Sequence, residues 1–426
     1  MIDMKSKTSQ DEPRYRCHVN SNAEEDRFVG ISIKNDIAEV SFPLGYNLAS
    51  DPQGIQRDIL KLIALLTSIG KIYPEDVSSG GINSSQINKP VAAYFEIIHD
   101  YLRRGHYYIE NESVFKVADK GKIHWGKTIK KITPLVTSSG NPVFTSFVVR
   151  HSSPCEEKMI TQIHKFCVFE SFKKFGWIFT SFVPENPSFL IDRKLSEITL
   201  LKKIQLTNND SEKKLFGAML AVVKDSSNDT TSTEFICGTD SFEYIWEKLI
   251  DIVFGISNKK DYFPQTSWSL KLDSEKDSQY KSPLEPDTIM RMGEKYFVLD
   301  AKYYKFGVSN SLKDLPGTSS IHKQITYGEF VHKKEFDNKS PEEVYVYNAF
   351  IMPGNLNCSN KELAIKVVGK AKSDWKKDKY RYENVLGIVI DVKSLIYCYK
   401  NDNAKMVSAL AESIIAEIDN NKKDIV

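Results

Sequence analysis

The chain has 426 residues, 41% hydrophobic and 27% charged, enough for two or three domains that each bury a core. Its formal net charge of +2 excludes an argument for a nucleic-acid partner from total charge, although lysines crowd residues 120–131 and 366–379. Six scattered cysteines without a C-x-x-C pair suit free thiols better than a disulfide frame or zinc site. The N-terminus is polar, unlike a secretory signal, and the longest apolar stretch, LIALL at 62–66, is too short to span a bilayer. These features predict a soluble, cytoplasmic protein without a membrane partner.

In chain order, the first twenty-five residues are polar and predicted to fray. Alternation over 28–42 predicts strands. Ile55, Ile59, Leu62, Ile63 and Leu66 mark a helix from Gly54 to Ile69, stopped by Gly70. A second helix is predicted at 90–103, then short β runs to about 150. Further helices are predicted at 154–180, opened by Pro154, and at 193–205 and 211–223. The polar segment 224–233 reads as a linker. Beyond it the pattern predicts a helix at 241–255, strands over 262–306 and a helix near 321–334. Strands at 343–351, 364–369 and 385–398 and an amphipathic helix at 403–419 complete a mixed α/β half.

Residues Gly121 to Thr128, GKIHWGKT, fit the phosphate-loop pattern G-x-x-x-x-G-K-[ST]. That loop needs a buried strand before it and a helix of several turns after it. Here Asp119 and Lys120 interrupt any apolar strand, and Ile129, Ile132 and Thr133 lead to Pro134 within six residues. The flanks favour a strand–turn–strand over a P-loop NTPase, and no cofactor-binding residues are assigned to this segment.

Residues 283–304, PLEPDTIMRMGEKYFVLDAKYY, read as two strands joined by a two-residue loop, Gly293-Glu294. A glycine at the first loop position suits a type II′ turn, which places Met292 opposite Lys295. Five steps outward, Asp287 falls opposite Asp300, with Lys302 on the same face. Paired carboxylates repel and attract a divalent cation; hard oxygen donors of this kind suit Mg²⁺. Asp287 and Asp300 are therefore candidate metal ligands and Lys302 a candidate catalytic cation for metal-assisted phosphodiester hydrolysis.

Upstream, Glu243 and Glu247 share a helix face, and Glu247 is the preferred third acid. Downstream, SSIHKQITYGEF presents His322, Lys323, Gln324 and Tyr327. Gln324 is a catalytic candidate, and Lys323 and Lys305 are DNA-contact candidates.

Pro286-Asp287, twelve residues, then Asp300-Ala301-Lys302 is similar to the PD-(D/E)xK nuclease signature. With FEYIWEKL, LPGTSSIHKQITYGEF, GKIHWGKTI and ITQIHKFCVFESFKKFGWIF, the chain from about residue 40 resembles the LlaJI-type restriction endonucleases. More distantly it resembles the nuclease subunit of McrBC-like systems. The resemblance implies Asp287 and Asp300 as metal ligands, Lys302 as catalytic lysine and Glu247 as a supporting acid. It also implies double-stranded DNA as substrate and a separate AAA+ GTPase motor as partner, with a homodimer or larger assembly left open.

The expected fold is α/β, a PD-(D/E)xK core with a mixed central sheet flanked by helices, preceded by an α+β domain. The expected divisions are a flexible 1–30, an N-terminal domain at 31–150 for partner docking or DNA contact, a helical connection at 151–234 and a nuclease domain at 235–426. The expected function is a Mg²⁺-dependent restriction endonuclease. A P-loop NTPase, a stand-alone site-specific type II endonuclease and a non-catalytic binding subunit are the alternatives.

Overall fold

Strands come first. Arg14–Cys17 (β1) runs parallel to Ile37–Phe42 (β3), and Val29–Lys34 (β2) pairs antiparallel with β3. The computed structural model describes residues 14–17, 28–34, 37–72, 90–187, 191–226, 234–268, 280–357, 362–400 and 403–420. The expected fraying is thus corrected at β1, whose backbone pairs with β3; the rest of that expectation lies outside the described residues. Pro52–Ile72 (α1) buries Ile59, Leu62, Ile63, Leu66 and Ile69 on one stripe, and it runs through Gly70 rather than stopping there.

Contacts divide the chain into two units, residues 1–89 with 233–426, and residues 90–232. In the second unit, Val91–Arg104 (α2) closes at Gly105, whose φ of +70° is a left-handed cap conformation. Glu110–Ala118 (β4), Lys122–Ile123 (β5), Trp125–Lys131 (α3), Leu135–Val136 (β6), Pro142–Val143 (β7) and Phe147–Cys155 (β8) follow. β4, β8 and β5 form an antiparallel sheet in that order. Met159–Phe179 (α4), Arg193–Leu206 (α5) and Asp210–Asp225 (α6) complete the unit. The helix expected from Pro154 begins five residues later, because Pro154 still pairs with Asn111 in the sheet.

His164 of α4 is fully buried, and its Nδ1 accepts the Tyr108 N–H at 2.9 Å. Burial is the main cause that pushes its pKa down to about 4. The folded state therefore resists a proton that the unfolded chain accepts near pH 6.5. The stabilisation is complete above that pH and is lost as pH falls towards 4, by about 3 kcal/mol. Thermal melts across this range should show the loss, and His164→Asn, which keeps an acceptor for Tyr108, should flatten it.

The chain then returns to the first unit. Glu234–Thr239 (β9) pairs antiparallel with β2, Lys34 opposite Glu234, giving the sheet order β1-β3-β2-β9. This corrects the sequence division: residues 29–72 group with the C-terminal half, not with 90–150. Phe242–Phe254 (α7), Gln265–Trp268 (β10), Tyr280–Pro283 (β11), Thr288–Met292 (β12), Lys295–Ala301 (β13) and Phe306–Ser309 (α8) come next. Thr318–Phe336 (α9), Val346–Gly354 (β14), Ile365–Ala371 (β15), Val385–Asp391 (β16), Val392–Cys398 (α10) and Asn403–Asn420 (α11) finish it. The run expected as one strand over 385–398 breaks at Asp391, whose carboxylate accepts the Ser394 N–H at 2.7 Å and starts α10.

Five strands form a mixed sheet, β12-β13-β14-β16-β15, with β13, β14 and β16 parallel and the outer two antiparallel. β14 is buried along its whole length, as a strand covered on both faces must be. On one face Tyr296 and Val298 pack with Ile325, Tyr327 and Val331 of α9. On the other, Phe297 stacks on Tyr347, whose hydroxyl donates to Asp419 of α11. The unit is a mixed α/β fold of helices layered on a sheet.

Asp58 ties α1 to α10. It is wholly buried, and it accepts from Lys393 Nζ at 2.9 Å, Tyr397 Oη at 2.6 Å and the Ala49 N–H at 2.9 Å. Removing one partner of a buried pair leaves the other charge uncompensated. Asp58→Ala is therefore expected to cost about 3–5 kcal/mol, read as a drop in urea midpoint.

Among the described residues Cys155, Cys167, Cys237 and Cys398 are free thiols, and no helix is long and apolar enough to cross a membrane.

Candidate active site

The β12–β13 hairpin turns at Gly293, φ +61°, while Glu294 keeps a negative φ, the type II′ geometry. Met292 faces Lys295, Arg291 faces Tyr296, and pairing continues to Thr288 opposite Leu299. The ladder ends there, and the next residues outward on the two sides are Asp287 and Asp300. Asp287 Oδ2 accepts the Ala301 N–H at 2.8 Å, which fixes its carboxylate beside the end of β13. Asp300 is only 4% exposed, and its Oδ2 lies 2.7 Å from Lys302 Nζ. Two carboxylates and an ammonium meet where the parallel strand ends.

The electrostatics follow from that crowding. Burial first, then the charges of Asp300 and Glu247, hold the Asp287 carboxyl well above the ordinary carboxylate range. Glu247 of α7 is also pushed up, chiefly by burial; Lys302 opposes this and Asp300 adds to it, so all four groups share one field. Burial works to lower the Lys302 pKa, but the charge and hydrogen bond of Asp300 outweigh it and raise it. Lys302 is thus held as a cation. Glu243, the other helix acid considered, is exposed on the same helix.

A cleft of ≈ 480 Å³ opens on this cluster, lined among others by Glu247, Asp251, Lys259, Glu285 and Asp287. Lys259 Nζ donates to Asp251 Oδ2 at 2.7 Å and to the Asp287 carbonyl at 2.8 Å. Thr288 Oγ1 donates to Asp251 Oδ1 at 3.3 Å, and Tyr327 Oη to the Glu285 carbonyl at 3.0 Å. Side chains from α7, the 259–262 turn and α9 therefore clamp residues 285–288 from several sides. Sequence reasoning missed Asp251 and Lys259. Asp251 was within reach, since it extends the Glu243–Glu247 stripe by four more residues; Lys259 arrives through tertiary folding and leaves no spacing signal.

Gln324 is brought behind the strand rather than into the cluster. It is 1% exposed, its Nε2 donates to the Val298 carbonyl at 2.7 Å, and its backbone carbonyl accepts from Asn348. The contact with Val298 supports β13, two residues before Asp300. Lys323 is exposed, its ammonium 5.5 Å from the Tyr327 ring centre. Lys305 is half-buried and heads α8. His322 lies against Trp375, ring centres 5.8 Å apart.

Among the described residues no group of three or more His, Cys, Asp or Glu side chains closes into a ready cation cage. The available donor set is a neighbouring carboxylate pair, one member of which has its proton affinity raised by burial and then by the charge of the other. It fits a hard cation that keeps waters and takes its remaining ligands from a substrate, and it does not fit a four-ligand zinc site.

Gly121 to Thr128 is not built as a phosphate loop. β5 is two residues long at a sheet edge and α3 has seven residues, so the expected strand–turn–strand is corrected to strand–turn–short helix. His124 caps α3 by accepting the Lys127 N–H. Thr128 is buried, its hydroxyl accepting from the Val148 N–H and donating to the His124 carbonyl. Lys127 Nζ sits 3.3 Å from the Phe115 ring centre. The two side chains that a phosphate loop turns to nucleotide and metal are both used internally.

Residues 28–393 match the family model described as LlaJI restriction endonuclease, a span that includes Asp287, Asp300 and Lys302. The chain belongs to that family. It is also 28% identical, over 285 residues, to the Type II restriction enzyme BsuMI component YdjA of Bacillus subtilis strain 168. That alignment covers 63% of this chain, and the chain spans 58% of the relative's length. Among solved structures, an assembly of Thermococcus gammatolerans McrB AAA+ hexamers with bound McrC aligns over 96% of this chain and 90% of that one. Its TM-score of 0.35 at 13% identity is too low to support an argument.

Proposed function

We propose that this member of the LlaJI restriction endonuclease family is a Mg²⁺-dependent DNA endonuclease with a PD-(D/E)xK core, acting in a restriction system against phage. The observation that carries the reading is the convergence of Asp287, Asp300 and Lys302 at the end of β13. Asp287 and Asp300 would hold Mg²⁺, with Glu247 as a neighbouring acid. The bound cation would polarise a phosphate oxygen and lower the pKa of a coordinated water. Lys302 holds its proton at Nζ, where it orients the attacking water and offsets charge that grows on the pentavalent phosphorus centre. Lys259 and Asp251 keep the 285–288 segment in place, so the carboxylate pair need not reorganise on substrate binding.

The chain further works as the nuclease subunit beside an AAA+ GTPase motor, closer to McrBC-like systems than to a stand-alone type II enzyme. Two points support this. The relative in Bacillus subtilis is named as a component of a restriction enzyme, and the side chains of Lys127 and Thr128 are not presented to a nucleotide.

Cleavage of supercoiled plasmid tests both levels. Wild-type chain with Mg²⁺ should cut when an AAA+ GTPase partner and GTP or ATP are supplied, and EDTA should stop the reaction. Cutting by the chain alone would replace the subunit reading with the stand-alone one. Undiminished cutting by Asp300→Ala would sink the nuclease assignment itself.

A further inference from the structure

We propose that the β4-β8-β5 sheet of the 90–232 unit binds the phosphate backbone of double-stranded DNA through Lys122 and Arg150. The choice of DNA rests on the nuclease reading above; the surface itself is argued from geometry.

Register places Arg150 of β8 opposite Phe115 of β4 on one side and opposite Lys122 of β5 on the other. Facing residues of paired strands project to the same side of a sheet. Phe115, Arg150 and Lys122 therefore form one row across three strands, with about 5 Å between neighbours. α3 folds a third cation onto that row. Lys127 Nζ lies 3.3 Å from the Phe115 ring centre, and the His124 ring meets Phe115 edge-on at 5.1 Å. Lys122 and Arg150 are exposed.

Composition points the same way. From Phe115 to Lys131 the chain has six lysines and one acid, Asp119. Glu110, at the start of β4, is already paired with Lys203 and Lys158. Phosphate contacts are made by such Lys and Arg side chains, whereas lysine is depleted from protein–protein interfaces. Ile129, Leu135 and Val136 are exposed too, but they belong to α3 and β6 and not to the row. DNA is the better match for the sheet face.

The test uses the full chain in EDTA, so that no cleavage occurs, with fluorescence anisotropy on a labelled duplex across a salt series. Wild type should bind with a steep salt dependence. The Lys122→Glu/Arg150→Glu double variant should bind more weakly at every salt, and the slope of log K against log[salt] should fall by about 2, near one per lost phosphate contact. Lys202→Glu, an exposed charge reversal on α5, should change neither quantity. Thermal melts of the variants show whether folding is preserved at these exposed positions. The proposal is overturned if the double variant keeps wild-type affinity and slope, if wild type shows no salt-dependent duplex binding, or if the double variant loses motor association while DNA binding stays intact. Cleavage by Asp300→Asn reports separately on the nuclease reading: persistent cleavage there removes the nuclease and leaves the binding result standing.

Discussion

Asp300→Asn is expected to lower plasmid cleavage by about 10³-fold or more while duplex affinity changes little. The substitution preserves shape and removes one of two neighbouring carboxylates, so the cost falls on cation binding and on the orientation of Lys302, now 2.7 Å from that carboxylate. Lys302→Met should lose activity on a similar scale for a different reason. It keeps both carboxylates and removes the cation that offsets developing charge. The two variants part on a readout other than activity. Mg²⁺ should raise the melting temperature of wild type and of Lys302→Met, because a ligand that binds the folded state alone stabilises it. Asp300→Asn should lose that rise. Full cleavage by either variant, or a Mg²⁺ shift preserved in Asp300→Asn, would contradict the proposed roles. Burial, then the charges of Asp300 and Glu247, hold the Asp287 carboxyl above its ordinary range, and a cation between the carboxylates would offset that charge, which gives the shift its physical origin.

A fragment of residues 235–426, the nuclease domain that sequence boundaries suggest, is expected not to fold. It lacks β2, leaving β9 with an unpaired edge at the buried residues Phe235 and Cys237. It lacks the Leu44 N–H that donates to Tyr303 Oη at 2.6 Å, directly after Lys302. It also lacks Asp58, leaving the Lys393 ammonium buried without its carboxylate. That last loss alone is worth about 3–5 kcal/mol against a typical total stability of roughly 5–15 kcal/mol. The fragment should show no cooperative urea transition by near-ultraviolet circular dichroism. Residues 1–89 joined to 233–426 by a flexible linker should show one. A cooperative transition in the short fragment would mean that the N-terminal strands are dispensable.

The two results also separate what local sequence can carry from what it cannot. The β12–β13 register, out to Thr288 opposite Leu299, was legible because a two-residue turn dictates register and register propagates along the pair without further information. Helices of strong apolar period were legible within a few residues. The β2–β9 pairing was not, because neither strand carries a mark of its distant partner. The end of β8 and the start of α10 were misread for a related reason. Pro154 resembles a helix opener until β4 is seen beside it, and Asp391 resembles a strand residue until its carboxylate is seen capping Ser394. Gln324 was placed on the right helix, but its direction depends on packing that spacing does not encode.

The pairing of Lys34 with Glu234 has a consequence in time. The ribosome makes β2 about 200 residues before β9. At roughly 5–20 residues per second, β2 and β3 wait about 10–40 s with an open edge of β-branched residues. Throughout that wait the whole 90–232 unit is emerging and folding. The nascent chain is therefore exposed to edge-to-edge association early in synthesis, and chaperone demand should peak before the carboxylate pair has even been translated.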